Sequence, residues 1–225
     1  MKRQAVSHAH IEDVRRRILA AARALCLEQG YKKTTIRQIV QTSGVLTGSI
    51  YYLYKNKAAI FQAMMLELFK ECVQILDEDF HDASPALRYG LMCRIELKAV
   101  ARSPLLRETY YEGYTQPAIF EKIVRHAAVV TREMFQAKQP SFTAQDYYQR
   151  TLLIQGMMRS CIAQYYFTGG AADPVCEKLT LEMALVLLGV QPVEREQVFS
   201  QLAGMDAVVC RLTERMLNRQ KTTGQ

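Results

Sequence analysis

Apolar residues recur along the chain at helical spacing, and no stretch alternates apolar with polar positions as a half-buried strand would. From about His10 to Gln29 one stripe holds Val14, Ile18, Ala21, Ala22 and Leu25, while Arg15, Arg16, Arg17 and Arg23 mostly face away from it. Gly30 stands where a left-handed cap ends a helix. Thr35 opens a short second helix and forms a capping box with Gln38, leaving Ile36, Ile39 and Val40 inward. The turn Thr42-Ser43-Gly44-Val45 then leads to a short third helix, about Thr47 to Tyr54, anchored by Val45, Ile50 and Tyr54. Asn56 caps a longer helix near 57–79 with the stripe Ile60, Phe61, Met64, Leu68, Cys72 and Ile75. Further helices are predicted near 85–102, 103–113, 117–137, 143–168, 173–189 and 194–218, with the sparse glycines and prolines at the joints. The expected fold class is all-α, with about nine or ten helices in total.

Charge divides the chain where the helix pattern does not. Residues 1–57 carry eleven Lys and Arg against Glu12, Asp13 and Glu28, a net of +8. The other 168 residues carry 18 basic and 19 acidic side chains, so the overall +7 sits in the first quarter. A basic module joined to a neutral body is the electrostatic footprint of a protein that meets polyphosphate with one part only. A length of 225 residues accommodates that division into two modest domains, expected at 1–57 and 58–225.

Within the basic module, two short helices joined by a glycine turn and packed on a longer helix describe a helix-turn-helix. A major groove admits one helix, and the preceding helix braces it. The second helix spends Ile50 and Tyr54 inward and offers Thr47, Ser49, Tyr51, Tyr52 and Lys55 to phosphates or base edges. Gly48 lacks a side chain where backbone and DNA would approach most closely.

The run Gly30-Tyr31-Lys32-Lys33-Thr34-Thr35-Ile36-Arg37-Gln38-Ile39-Val40, followed by Ser43-Gly44-Val45-Leu46-Thr47-Gly48-Ser49-Ile50-Tyr51-Tyr52-Leu53-Tyr54-Lys55-Asn56-Lys57, resembles the tetracycline-repressor family of bacterial regulators. The likeness covers roughly residues 11–65, a dense match in the required helical context. It implies an amino-terminal DNA-binding domain followed by a helical ligand-binding and dimerising domain. It also implies DNA contacts from Thr35, Leu46, Thr47, Gly48, Ser49, Tyr51, Tyr52, Lys55 and Lys57. Thr35, Tyr51 and Lys57 would meet the backbone and Tyr52 a base. The family often has a serine-like cap where this chain has Leu46. Either the recognition helix begins at Thr47, or Leu46 makes an apolar base contact.

For the neutral body the same likeness implies a bundle of the last long helices between two subunits. Leu153, Gly156 and Ser160 on one helix and Leu181, Leu185 and Leu188 on the next are the interface candidates. Aromatic and sulfur side chains of the kind that line apolar pockets, with a few polar groups to fix orientation, supply the ligand candidates. These are Met92, Glu96, Tyr110, Tyr114, Phe120, Met157, Cys161 and Gln164. If Glu96 faces inward, a cationic or hydroxylated ligand fits. The expected partners are a double-stranded DNA operator, a second copy of the chain, and a small apolar or amphipathic effector that releases DNA. The alternative is a DNA-binding regulator or architectural protein without an effector, or an activator.

Other chemistries lack their residues. Six cysteines show no tight spacing, so they read as buried apolar groups instead of a metal site or disulfide framework. His8, His10, His81 and His126 stand in no catalytic motif, and His8 and His10 read as inert residues of a flexible start. No catalytic residue, cofactor or metal is expected. The longest apolar run, Met183 to Val190, falls well short of the roughly 18 residues a spanning helix needs. The polar opening leaves no room for a signal-peptide core, so a cytoplasmic protein is expected.

Overall fold

The computed structural model describes the backbone of residues 2–171 and 173–222 and the side chains of 9–26, 28–171 and 173–217. Among the described residues it is all-α, with eleven helices and no strand. They are α1 (Lys2–Lys33), α2 (Ile36–Ser43), α3 (Thr47–Leu53), α4 (Lys57–Asp79), α5 (Pro85–Arg102) and α6 (Pro104–Thr115). Then come α7 (Pro117–Phe135), α8 (Ala144–Phe167), α9 (Pro174–Leu187), α10 (Pro192–Ala203) and α11 (Asp206–Thr222). Proline stands in the first turn of α5, α6, α7, α9 and α10. There its missing N–H breaks no intrahelical bond and its fixed φ already suits the helix.

Gly30 takes the expected left-handed φ of 82 but kinks α1, which runs on to Lys33, and two further boundaries differ from the sequence reading. The helix expected from His10 begins at Lys2, because the intervening residues contain no glycine or proline and several strong helix formers. His10 is exposed on that helix, and the side chain of His8 lies outside the described residues. The single helix expected over 194–218 is two, α10 and α11, interrupted at Gly204-Met205. Glycine is a weak helix former, and Asp206 restarts the chain with an acid in the first turn, where the helix dipole favours one.

The buried side chains fall into two clusters. One runs from Val14 to Met64 and joins α1, α2, α3 and the first part of α4. The other starts at Met65 and collects the rest of α4 with α5 to α11. Helix α5 is the axis of the second cluster, with Leu91, Ile95 and Val100 fully enclosed; α4, α6, α8, α9, α10 and α11 all pack on it. Helix α4 therefore contributes to both cores, and a rotation of α4 cannot leave either unaffected.

The turn after α8 locks the second cluster together. Gly170, at φ +98, closes α8 by donating its N–H to the Tyr165 carbonyl. A Cβ there would stand 2.7 Å from the Ala101 carbonyl oxygen and would strike the Arg107 guanidinium, which donates to that same carbonyl at 2.9 Å. Gly170→Ala combines left-handed strain with a backbone clash. It is expected to cost about 3 kcal/mol, seen as a fall of roughly 6–12 °C in the thermal midpoint by calorimetry.

Candidate nucleic-acid interface

The α2–turn–α3 unit is built from local hydrogen bonds. The Thr35 hydroxyl accepts from the Gln38 amide at 3.3 Å, and Gln38 Oε1 accepts from the Thr35 amide at 2.8 Å, completing the capping box. At the far end, Gly44 takes φ 61 and returns its N–H to the Val40 carbonyl. Arg17 of α1 clamps the turn by donating to the Ser43 carbonyl from Nη2 at 2.8 Å and Nε at 3.2 Å. The Ser43 hydroxyl accepts from the Val45 amide at 3.3 Å. These bonds fix the direction in which the chain enters α3.

Helix α3 is seated by Val45, Ile50 and Tyr54, all buried. Its outward face carries Leu46 and Tyr52, each 79% exposed, and Tyr51 at 53%. Thr47, Gly48 and Lys55 are exposed beside them, with Ser49 half-buried. Thr35 is exposed at the start of α2. Helix α3 does begin at Thr47, and Leu46 is its N-cap residue with no side-chain cap bond and its side chain in the open. Leu46, Tyr51 and Tyr52 thus form an apolar and phenolic group held largely in solvent on a seven-residue helix.

Lys57, expected to meet a phosphate, is half-buried and engaged within the chain. Its ammonium donates to the Tyr31 carbonyl at 3.0 Å and lies 4.2 Å from the centre of the Tyr31 ring. It braces the end of α1 against α4 through one hydrogen bond and one cation–π contact. Sequence reasoning passed over Arg37. It is exposed on α2 and, like Lys33 and Lys55, has no carboxylate partner among the described residues. The charge excess of residues 1–57 was the signal that could have found it.

The ligand candidates do not form one cavity. Glu96, Tyr110 and Tyr114 line a void of about 10 Å³ with Met65, Leu66, Phe69, Ile123 and His126, room for roughly one water. Met92, Met157, Cys161 and Gln164 lie elsewhere, and Phe120 meets the void only through the Tyr114 ring. Cys161 faces Cys176 and Thr180, and Gln164 donates to Asp173 at 3.1 Å, so both belong to the α8–α9 contact. Glu96 does face inward and has no basic partner among the described residues. Burial pushes its carboxyl up to about 7, against a hydrogen bond from the Tyr110 hydroxyl that favours the charged form. Tyr114 donates to Gln155 Oε1 at 2.6 Å, while the buried His126 Nε2 has no partner, and burial lowers the pKa of that ring.

That carboxyl carries a pH signature. Its folded value of about 7 lies above the ordinary 4.5, so the folded state holds the extra proton between those limits. Stability is then greatest below pH 4.5 for this group and is lost as pH rises through 7, by about 3 kcal/mol. Denaturant titrations at several pH values are expected to show this fall in the wild type and a markedly flatter profile in Glu96→Gln.

The interface candidates are split by the structure. Leu153 is 59% exposed, Ser160 exposed and Gly156 half-buried along one face of α8. Leu181, Leu185 and Leu188 point into the chain's own core instead, because α9 turns that side toward α5 and α8. The exposed apolar side of α9 is made by Val175, Leu179, Met183 and Val186, at 66%, 55%, 46% and 40% exposure. Since α8 and α9 pack on each other, their outward apolar residues belong to adjoining helices.

The model for "Bacterial regulatory proteins, tetR family" matches residues 18–64, the whole α2–turn–α3 unit with the adjoining parts of α1 and α4. Residues 18–64 thus carry the tetR-family pattern. Over 121 residues the chain is 26% identical to YvkB of Bacillus subtilis (strain 168), an uncharacterized HTH-type transcriptional regulator. That match covers 54% of this chain and 61% of YvkB, so the chain spans about three fifths of its relative's length. It is also 26% identical over 132 residues to the HTH-type transcriptional repressor AcnR of Corynebacterium diphtheriae, covering 54% of this chain and 70% of AcnR. Among solved structures, RolR in complex with resorcinol superposes with a TM-score of 0.64 at 18% identity, over 85% of this chain and 95% of RolR. SmeT, the repressor of the Stenotrophomonas maltophilia multidrug efflux pump SmeDEF, gives 0.53 at 18% identity, over 77% and 91%. At that identity the two structures speak for the fold alone. No helix among the described residues is long and apolar enough to cross a membrane.

Proposed function

We propose that two copies of the chain bind a two-fold symmetric operator and repress transcription until a small effector releases them. The observation that carries this reading is α3 itself. It is a short helix seated by Ile50, with Leu46, Tyr51 and Tyr52 held in solvent and uncompensated Arg37 and Lys55 beside them. In this reading α3 enters the major groove, Tyr52 meets a base, and Thr35, Tyr51, Lys55 and Arg37 hold phosphates. The two copies join through the outer faces of α8 and α9. Residues 1–57 form the DNA-binding domain and 58–225 the effector and dimerisation domain, with α4 as the lever shared between their cores. The protein acts in the cytoplasm.

The effector is small, and apolar or amphipathic. Glu96, Tyr110 and the unpartnered His126 Nε2 ask for a group that donates or accepts hydrogen bonds, set on an apolar body. Because the void holds about 10 Å³, the effector binds a conformer in which α4, α5, α6 and α7 have parted. It can release DNA only by the difference in its affinity for the two conformers.

Selection of duplexes from a random pool by the purified protein tests the reading. The expected product is a two-fold symmetric sequence with half-sites one turn apart, roughly 34–36 Å or a multiple of it. Its affinity is expected to exceed that for random DNA at least about a thousandfold at fixed salt. Recovery of no preferred sequence, with one salt slope for all duplexes, would favour an architectural binder instead.

A further inference from the structure

We propose that Cys161 and Cys176 form a reactive dithiol that closes to a reversible disulfide between α8 and α9. Cys161 projects from the last third of α8 and Cys176 from the first turn of α9, and their sulfurs lie 3.1 Å apart. A disulfide needs about 2.05 Å, so closure takes an approach of roughly 1 Å by side chains already aimed at each other. The two helices are held at this point by Gln164 donating to Asp173 and Tyr165 donating to Glu177. No second pair of cysteines is in hydrogen-bonding contact among the described residues. Cys26, Cys72 and Cys93 are buried, and Cys210 accepts from Arg102 at 3.4 Å.

The environments of the two sulfurs divide the chemistry between them. Cys176 is half-buried and meets an oxidant first, whereas Cys161 is 1% exposed beside the Thr180 hydroxyl, 3.1 Å away. Burial pushes the Cys161 thiol up to about 12, so it keeps its proton until a partner is made for it. The oxidant is a hydroperoxide. The Cys176 thiolate attacks its outer oxygen, the O–O bond breaks, and the departing oxygen takes up a proton and leaves as water or an alcohol. Cys176 is now a sulfenic acid. The Cys161 sulfur attacks the Cys176 sulfur, its proton passes to the departing hydroxide, and a water leaves. Two electrons have moved from the pair of thiols to the peroxide, and a thiol reductant reverses the change.

The bond closes a ring over residues 161–176 and pins two helices whose outer faces carry Leu153, Ser160, Leu179 and Met183. If those faces join two copies of the chain, as proposed above, oxidation alters the fit between the copies and with it operator affinity.

Thiol counting on the full-length protein tests the proposal independently of any DNA. With graded hydrogen peroxide, the six thiols are expected to fall to four in one step, with the loss of two hydrogens from the intact mass. A non-reducing peptide map is expected to join the Cys161 and Cys176 peptides, and dithiothreitol to restore both. Cys161→Ser should instead accumulate a sulfenic acid at Cys176 that dimedone traps. A first bond to Cys93 or Cys210, a Cys176 link between chains, or Cys176 passing to sulfinic acid while Cys161 stays free would overturn it. None of those results touches the reduced protein's binding to an operator.

Discussion

Replacing Tyr51 and Tyr52 together by alanine is expected to weaken operator binding at least about a hundredfold, since a good base or backbone contact contributes about 1–3 kcal/mol. Both rings stand outside the core, at 53% and 79% exposure, and α3 is seated by Ile50, Val45 and Tyr54 without them. The thermal midpoint should therefore stay within a few degrees of the wild type. Comparing two duplexes separates the roles of the side chains. Tyr52→Ala alone should reduce discrimination between operator and random DNA, while Lys55→Ala should weaken both and make the salt dependence shallower. Fluorescence anisotropy titrations at two salt concentrations supply the measurement. Unchanged affinity in the double variant would place the contact surface elsewhere than on α3.

Putting carboxylates on the outer faces of α8 and α9 is expected to produce monomers. Leu153 and Met183 are 59% and 46% exposed in the single chain, so Leu153→Glu and Met183→Glu cost the isolated subunit little. Between two copies the same substitutions would bury like charges in an apolar contact, at several kcal/mol for each unpaired ion. Self-association should weaken by at least about a thousandfold. By sedimentation at micromolar concentration the wild type should run as a dimer and the double variant as a folded monomer with unchanged helical circular dichroism. Operator affinity should fall with it, because one α3 reads only half of the site. A variant that still dimerises would mean that a different face joins the copies.

The amino-terminal quarter was the most legible part of the sequence. There each helix is short, its apolar positions are few, and every turn is marked by a residue with a local reason to be there. Thr35 and Gln38 cap, Gly44 takes a left-handed φ, and Asn56 caps α4 by accepting from the Ala59 amide at 2.9 Å. Local chemistry of that kind does not depend on distant parts of the chain. The body was legible as helices, with proline marking five of the starts, but not in how those helices turn. Helix α9 is apolar on nearly every side, so its periodicity could not tell whether Leu181, Leu185 and Leu188 or Leu179, Met183 and Val186 face the chain's own core. Only the positions of α5 and α8 decide that. The same limit hid the fate of Lys57, whose partner is a backbone carbonyl 26 residues earlier. It also scattered the ligand candidates, since chemical suitability for a pocket does not place side chains around one. Gly204 is the local signal for the break between α10 and α11.

Photo-crosslinking from position 52 tests the central claim most directly, because it asks where the outward face of α3 lies when the protein holds its DNA. A benzophenone side chain at that position, on protein bound to its selected duplex, is predicted to form adducts with bases inside each half-site. The same probe at Gln136, exposed at the end of α7, is predicted to form none. Adducts from Gln136 with none from position 52 would contradict the account.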